Sequence, residues 1–233
     1  MNMKRISAII LSGALVTGIG FTSAQAADRY INVSATGSVK VSPDTVRINA
    51  TVTNVGTTSA AAQSTVATTA SALRKALASN GVTTQYIKSA NVTNYPEYNY
   101  TADKGSVLVG YRASQTFEII VRNAKNAGTV VDAIVSASGD NMTLDGVTPY
   151  VYDNTTATSA ARTDAVTRAK AKAAHYAKLL GVGLGSVTSL DETTAPSPYP
   201  IMMATAKLDS GATQIDLGQQ DVSVSVTVRW SIK

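Results

Sequence analysis

From Val222 to Ile232 every second residue is apolar: Val222, Val224, Val226, Val228, Trp230 and Ile232 alternate with Ser223, Ser225, Thr227, Arg229 and Ser231. A two-residue period belongs to a strand with one buried face. A slip of one position would expose the whole apolar row, so this register is expected to be tightly fixed. The same period runs through residues 44–55, where Val46, Ile48, Ala50 and Val52 alternate with Arg47, Asn49, Thr51 and Thr53. Pro43 precedes that strand, where its missing N–H costs the ladder little. Upstream, Ile31, Val33, Ala35, Val39 and Val41 predict a first strand interrupted at Gly37 by a bulge or a turn.

Two longer strand-like stretches, 86–100 and 107–122, flank Thr101-Ala102-Asp103-Lys104-Gly105-Ser106, whose polar turn chemistry predicts a long hairpin. In the second stretch Val109, Tyr111, Ala113, Phe117, Ile119 and Val121 are expected on one face, with Arg112, Ser114, Thr116 and Glu118 on the other. Shorter strand signals occupy 142–152 and 187–190.

Between these segments the period lengthens. Ala62, Val66, Ala70, Leu73 and Leu77 predict a helix over 59–80, closed by a left-handed Gly81. Val130, Val131, Ile134 and Val135 predict a second over 124–138 that ends at Gly139. A third is expected over 156–180, with Ala161, Ala165, Ala169, Ala173, Tyr176 and Leu180 on one side, Asp153 or Asn154 as cap and Gly181 as stop. Strands that follow one another without a helix between them pair antiparallel. The order therefore predicts an α+β fold, a largely antiparallel sheet carrying about three amphipathic helices. Each half has strands followed by a helix, which suggests two pseudo-repeated halves dividing near 123–155.

Composition changes the picture at the amino end. Lys4 and Arg5, the nearly uncharged run 6–21 and the small residues Ala24-Gln25-Ala26 have the order of an export signal, with cleavage expected after Ala26. The run is shorter than the roughly 20 apolar residues that span a bilayer. Removing Lys4 and Arg5 lowers the formal charge from +5 to about +3. The basic residues are scattered apart from Lys170 and Lys172, so no nucleic-acid footprint is visible.

The chain has no cysteine and one histidine, which removes thiolate chemistry and leaves His175 as the sole imidazole. His175 lies among alanines and lysines on a predicted helix, where a solvated or half-packed residue is expected. Gly181, Gly183 and Gly185 follow a helix and precede a strand, the reverse of the order that aims helix N–H groups at a phosphate. Asp140 and Asp145 flank a turn, Asp191 and Glu192 are adjacent, and Asp209, Asp216 and Asp221 are scattered near the end, without the spacing of a calcium loop. No catalytic, cofactor or metal residues are assigned, and the chain is not expected to be an enzyme.

Two contact surfaces remain. Tyr95, Tyr98 and Tyr100 gather near the hairpin end, either facing a core or exposed for contacts. Tyr199, Ile201, Met202 and Met203 lie in a proline-rich stretch unsuited to a central strand, where exposure is expected.

The ordered set Ile31-Asn32-Val33-Ser34-Ala35-Thr36-Gly37, Val41-Ser42-Pro43-Asp44, Gly110-Tyr111-Arg112-Ala113, residues 165–181, Gly181-Val182-Gly183-Leu184-Gly185-Ser186-Val187 and the closing strand resembles the SIMPL-domain family of exported bacterial proteins. The match covers essentially the whole chain after the leader and is poor around 207–213. The resemblance implies an exported, self-assembling α+β protein with roles in envelope or oxidative stress tolerance and surface antigenicity. It brings no catalytic residue to carry over. The expected partner is a second copy of the chain, a ring being one arrangement. The mature chain is expected to make no stable membrane insertion, peripheral envelope association remaining open. The alternatives are a periplasmic small-ligand binder, a hydrolase using Asp191, Glu192, Asp209 and Asp216, or an outer-membrane barrel, which would leave no place for three helices.

Overall fold

A computed structural model describes residues 29–194 and 213–233. The expected leader and its cleavage point lie outside the described residues. Seven strands and three helices follow one another as β1 (Tyr30–Val41), β2 (Thr45–Gly56), α1 (Ser59–Ser79), β3 (Ile87–Thr101), β4 (Gly105–Val121), α2 (Ala127–Ser138), β5 (Met142–Tyr150), α3 (Thr155–Leu180), β6 (Leu184–Thr194) and β7 (Gln220–Ile232). This is the predicted order, and all pairings are antiparallel.

The strands form two sheets. One has the order β3-β4-β2-β5 and carries α1 and α2; the other has the order β1-β7-β6 and carries α3. No repetition of two halves is seen among the described residues. The sheets differ in strand number and helix cover, and the smaller one pairs β1 with β7, from opposite ends of the chain. The β7 register is unbroken from Tyr30↔Ser231 to Val41↔Gln220, with Val222, Val224, Val226, Val228 and Trp230 all buried.

The larger core is built from β-branched and aromatic side chains of β2 and β4, among them Ile48, Val52, Phe117 and Ile119, packed under Val66, Leu73 and Leu77 of α1. Helix α1 starts where the Thr58 side chain accepts the Ala61 N–H. It ends where Gly81, at φ 80°, lets Val82 donate back to the Leu77 carbonyl at 2.9 Å.

The smaller core rests on alanine. Ala157, Ala161, Ala165, Ala169, Ala173 and Ala177 are the buried residues of α3. Tyr176 and Leu180, expected on this stripe, are instead exposed, because the helix lies too close to the sheet to admit anything larger than a methyl group. Gly37 explains the spacing. It neither bulges nor turns β1: its pairing with Val224 is regular. A Cβ at this position would fall on the Ala161 carbonyl oxygen and the Ala165 amide nitrogen, so the absent side chain is what admits the α3 backbone.

Beside this contact α3 also shields the outer edge of β1. Asp164 accepts the Ser38 N–H at 3.3 Å, and Lys172 donates to the Ser34 carbonyl at 3.2 Å, groups that an edge strand would otherwise leave open. Asp164 is also bonded to Arg168, one helical turn on, at 2.9 Å. The Arg168 guanidinium holds the Asp164 carboxyl below its ordinary value, and the Ser38 N–H adds to this. A depressed folded-state pKa contributes stability above the ordinary aspartate value and loses it as pH falls through the lower, folded value. Acid unfolding followed by circular dichroism is therefore expected to show a shallower stability loss at low pH for Asp164→Asn than for the native chain.

Asp44, in the Val-Ser-Pro-Asp motif, ties the β1–β2 crossing to the β5–α3 crossing and to the start of the α2 segment. Its carbonyl accepts the Ala124 N–H and its carboxylate the Tyr152 N–H, both at 2.9 Å. Gln220, at the start of β7, donates to the Pro149 carbonyl at 2.9 Å.

Candidate contact surface

Strand length sets the first candidate. A 17-residue strand such as β4 extends about 58 Å, whereas the 21-residue α1 covers about 31 Å. The partner strand β2 stops at Gly56, opposite Tyr111. Beyond that point β3 and β4 have only each other among the described residues, of which none adds a third strand or a covering helix to the two-stranded arm 97–110. Gly110 marks its root, because a Cβ there would stand 2.6 Å from the Gly56 carbonyl oxygen.

The arm is apolar on its flanks. Tyr98 is 59% exposed and Tyr100 76%, and Val107 and Leu108 are also open to solvent. Val109, expected on the inner face, is 57% exposed. It is the extra residue where pairing shifts from Glu97↔Gly110 to Tyr98↔Leu108, and no described helix or third strand covers the hairpin at that height.

The three sequence-predicted tyrosines are all exposed but do not share a face. Alternation places Tyr98 and Tyr100 on one side, with Leu108 directly opposite Tyr98. This is the side of Asn94, whose amide donates to the Ser59 carbonyl at the start of α1. Tyr95 is on the other side, opposite Arg112. Beside it, Arg112 meets Glu97 at 2.6 Å with both side chains about one-third exposed, and this bond raises the Arg112 pKa. The pair sits at the root of the arm. Tyr199, Ile201, Met202 and Met203 lie outside the described residues.

The sequence reading missed Val107 and Leu108. Their signal was present: an apolar run, Val107-Leu108-Val109, adjoining a polar turn on a strand too long for its helix.

Other candidate groups do not converge among the described residues. Asp191 is opposite Thr227, whereas Glu192, next along β6, reaches α3, where its two oxygens accept from Arg162 at 2.7 and 2.8 Å. The adjacent acids therefore point to opposite faces of the strand. Asp216 is exposed ahead of β7, and Asp209 is outside the described residues. His175 is exposed on α3. Gly181 closes α3 at φ 65°, while Gly185 lies in β6, where a Cβ would meet Ser231. A depression of about 380 Å³ lined by Asp44, Arg122, Lys125 and Leu217 holds one carboxylate, already bonded to the Tyr152 amide. No group of three metal-ligating side chains occurs among the described residues.

Comparison with known proteins completes the site. The family model described as SIMPL, a protein of unknown function (DUF541), matches residues 31–230. The chain belongs to the SIMPL family. Among similar proteins, the 26 kDa periplasmic immunogenic protein of Brucella melitensis is 29% identical over 216 residues, covering 87% of this chain and 84% of the relative. The uncharacterized protein YggE of Edwardsiella ictaluri is 30% identical over 209 residues, covering 84% and 85%. YggE of Escherichia coli K12 is 28% identical over 205 residues, covering 83% and 80%. The SIMPL match thus takes in both sheets and the arm, from Ile31 in β1 to Trp230 in β7. No helix among the described residues is long and apolar enough to cross a membrane.

Proposed function

We propose that this SIMPL protein is exported to the periplasm, loses its leader after Ala26, and acts without catalysis through self-assembly and protein contacts made by the hairpin arm. One observation carries the reading: residues 97–110 extend past the last supporting strand and hold Tyr98, Tyr100 and Leu108 in solvent on one side. Aromatic side chains exposed together on a projecting hairpin suit a protein interface. The edge pattern adds support. The outer edge of β1 is partly satisfied by α3, while β3, β5 and β6 end their sheets with no further strand among the described residues. Export fits the order of the first 26 residues, and a relative that is 29% identical is named periplasmic. Stress tolerance and surface antigenicity are the cellular roles carried by the family resemblance; the name immunogenic belongs to the Brucella relative.

Light scattering of the purified exported protein at micromolar concentration tests this reading. A mass several times that of one chain is expected, and a strictly monomeric mass would overturn it.

A further inference from the structure

We propose that the furrow between α1 and the free edge of β3 takes up the carboxyl-terminal segment of another polypeptide, added as an antiparallel strand with its terminal carboxylate at Arg74. Helix α1 packs over β2 and β4 and leaves β3, the outer strand of the same sheet, largely bare. Ile87 is opposite Ile119, Ser89 opposite Phe117 and Val92 opposite Gln115, so these residues of β3 share the face on which α1 lies. Val92 is nevertheless 54% exposed. Further along the strand, Asn94 closes the furrow by donating to the Ser59 carbonyl at the start of α1.

The other end of the furrow is a cavity of about 320 Å³. Its walls include Arg74 and Ala78 of α1, Val82 and Thr84 of the turn that follows, and Ile87 and Ser89 of β3. Arg74 is the one charged residue among them. Its guanidinium stands 4.9 Å above the Phe117 ring, which places it beside Ser89, the partner of Phe117 across the ladder. It donates only to the Ala70 carbonyl of its own helix, at 3.4 Å, and no described carboxylate pairs with it. Glu118 adjoins Phe117 in sequence but lies on the opposite face of β4.

The backbone supplies the second half of the site. β3 ends its sheet among the described residues, so the outward N–H and C=O groups of 87–95 are open to a further strand. A bulge at Ala90 divides this run, and Pro96, which has no N–H, limits it. Strand addition draws affinity from main-chain hydrogen bonds and specificity from pockets for alternate side chains. Both are present here side by side.

Direction and charge identify the occupant. A strand antiparallel to β3 runs toward Ile87 at its carboxyl end, where the turn 81–86 stops it. Its terminal carboxylate then meets the unpaired Arg74, and its last side chain enters between Ala78, Val82 and Ile87. A residue two positions earlier points to the same face, toward Val92. The carboxyl end of a second copy does not qualify: Lys233 exchanges backbone hydrogen bonds with Gly183 and would bring a cation to Arg74. The furrow lies at the opposite end of β3 from the hairpin arm.

Fluorescence anisotropy of a labelled hexapeptide, Ser-Val-Thr-Val-Ser-Val with a free carboxyl end, tests the site on the exported protein. Saturable binding below millimolar concentration is expected. Amidation of the peptide terminus, and separately Pro-Pro in place of its central Thr-Val, are each expected to weaken binding by at least about tenfold. Arg74→Gln is expected to weaken the free acid by a similar factor and to leave the weaker binding of the amide unchanged. Ala78→Glu, a change at an exposed position, is expected to weaken the acid with unchanged thermal melting. Removal of the arm is expected to leave binding intact. No saturation, equal binding of acid and amide, native affinity in Ala78→Glu, or loss of binding with the arm would overturn the proposal.

Discussion

Gly37→Val is expected to cost at least about 3 kcal/mol of stability, roughly the upper end for an overpacked core site. Any Cβ at this position collides with backbone atoms of Ala161 and Ala165, and backbone cannot rotate away as a side-chain tip can. Relief requires α3 to lift off β1 and β7, which would separate Ala161, Ala165 and Ala169 from Val33, Val224 and Val226. The gain in strand propensity from valine over glycine, within a scale of about 1 kcal/mol, does not offset this. For a chain of this size the expected fall in melting temperature is about 10 °C, measurable by thermal denaturation. Gly146→Ala is the control: a Cβ there meets nothing within 4 Å, so a change within about 0.5 kcal/mol is expected. Equal effects at the two glycines would remove the close-approach explanation.

Shortening the arm is expected to abolish self-assembly while leaving the fold intact. Pro96 and Tyr111 are directly paired, so residues 97–110 can be replaced by Asn-Gly, a two-residue turn suited to the twist of a hairpin. Apart from Gly110 at the root, none of the removed residues is buried. The Glu97–Arg112 pair is lost as well, but an ion pair this open to water contributes about 1 kcal/mol or less. The melting temperature is thus expected to move by no more than about 3 °C, while sedimentation shows the mass of a single chain. Tyr98→Ser combined with Leu108→Ser gives a milder form of the test. Each truncation at an interface centre weakens association by about 2 kcal/mol, or roughly thirtyfold. Unchanged assembly in the shortened chain would exclude the arm as the contact element.

Much of this architecture was legible before any coordinates. Residues 222–232 read as a strand because one buried face demands a two-residue period, and the three helices read correctly because burial on one side demands a longer one. Their stops were equally plain, since Gly81 and Gly181 occupy left-handed positions that favour glycine. The contact surface was legible only in part. Tyr95, Tyr98 and Tyr100 stood out by type, yet a period of two cannot say whether a face is covered. Val109 therefore read as inward until β2 was seen to end at Gly56.

The chain alone determined its element order, its α+β class, the inventory of reactive groups and the inward faces of β1, β2 and β7 and of β4 as far as Tyr111, because each follows from neighbours within a few residues. Tertiary structure decided which strands share a sheet, why Gly37 is a glycine, that Tyr176 and Leu180 remain in solvent, and where the hairpin outruns its support. Those depend on contacts between residues far apart in the chain, such as Gly37 with Ala161, Tyr30 with Ser231 and Gly56 with Tyr111. Local periodicity records that a face is apolar; only packing determines how closely another backbone approaches it and how far along it the cover extends.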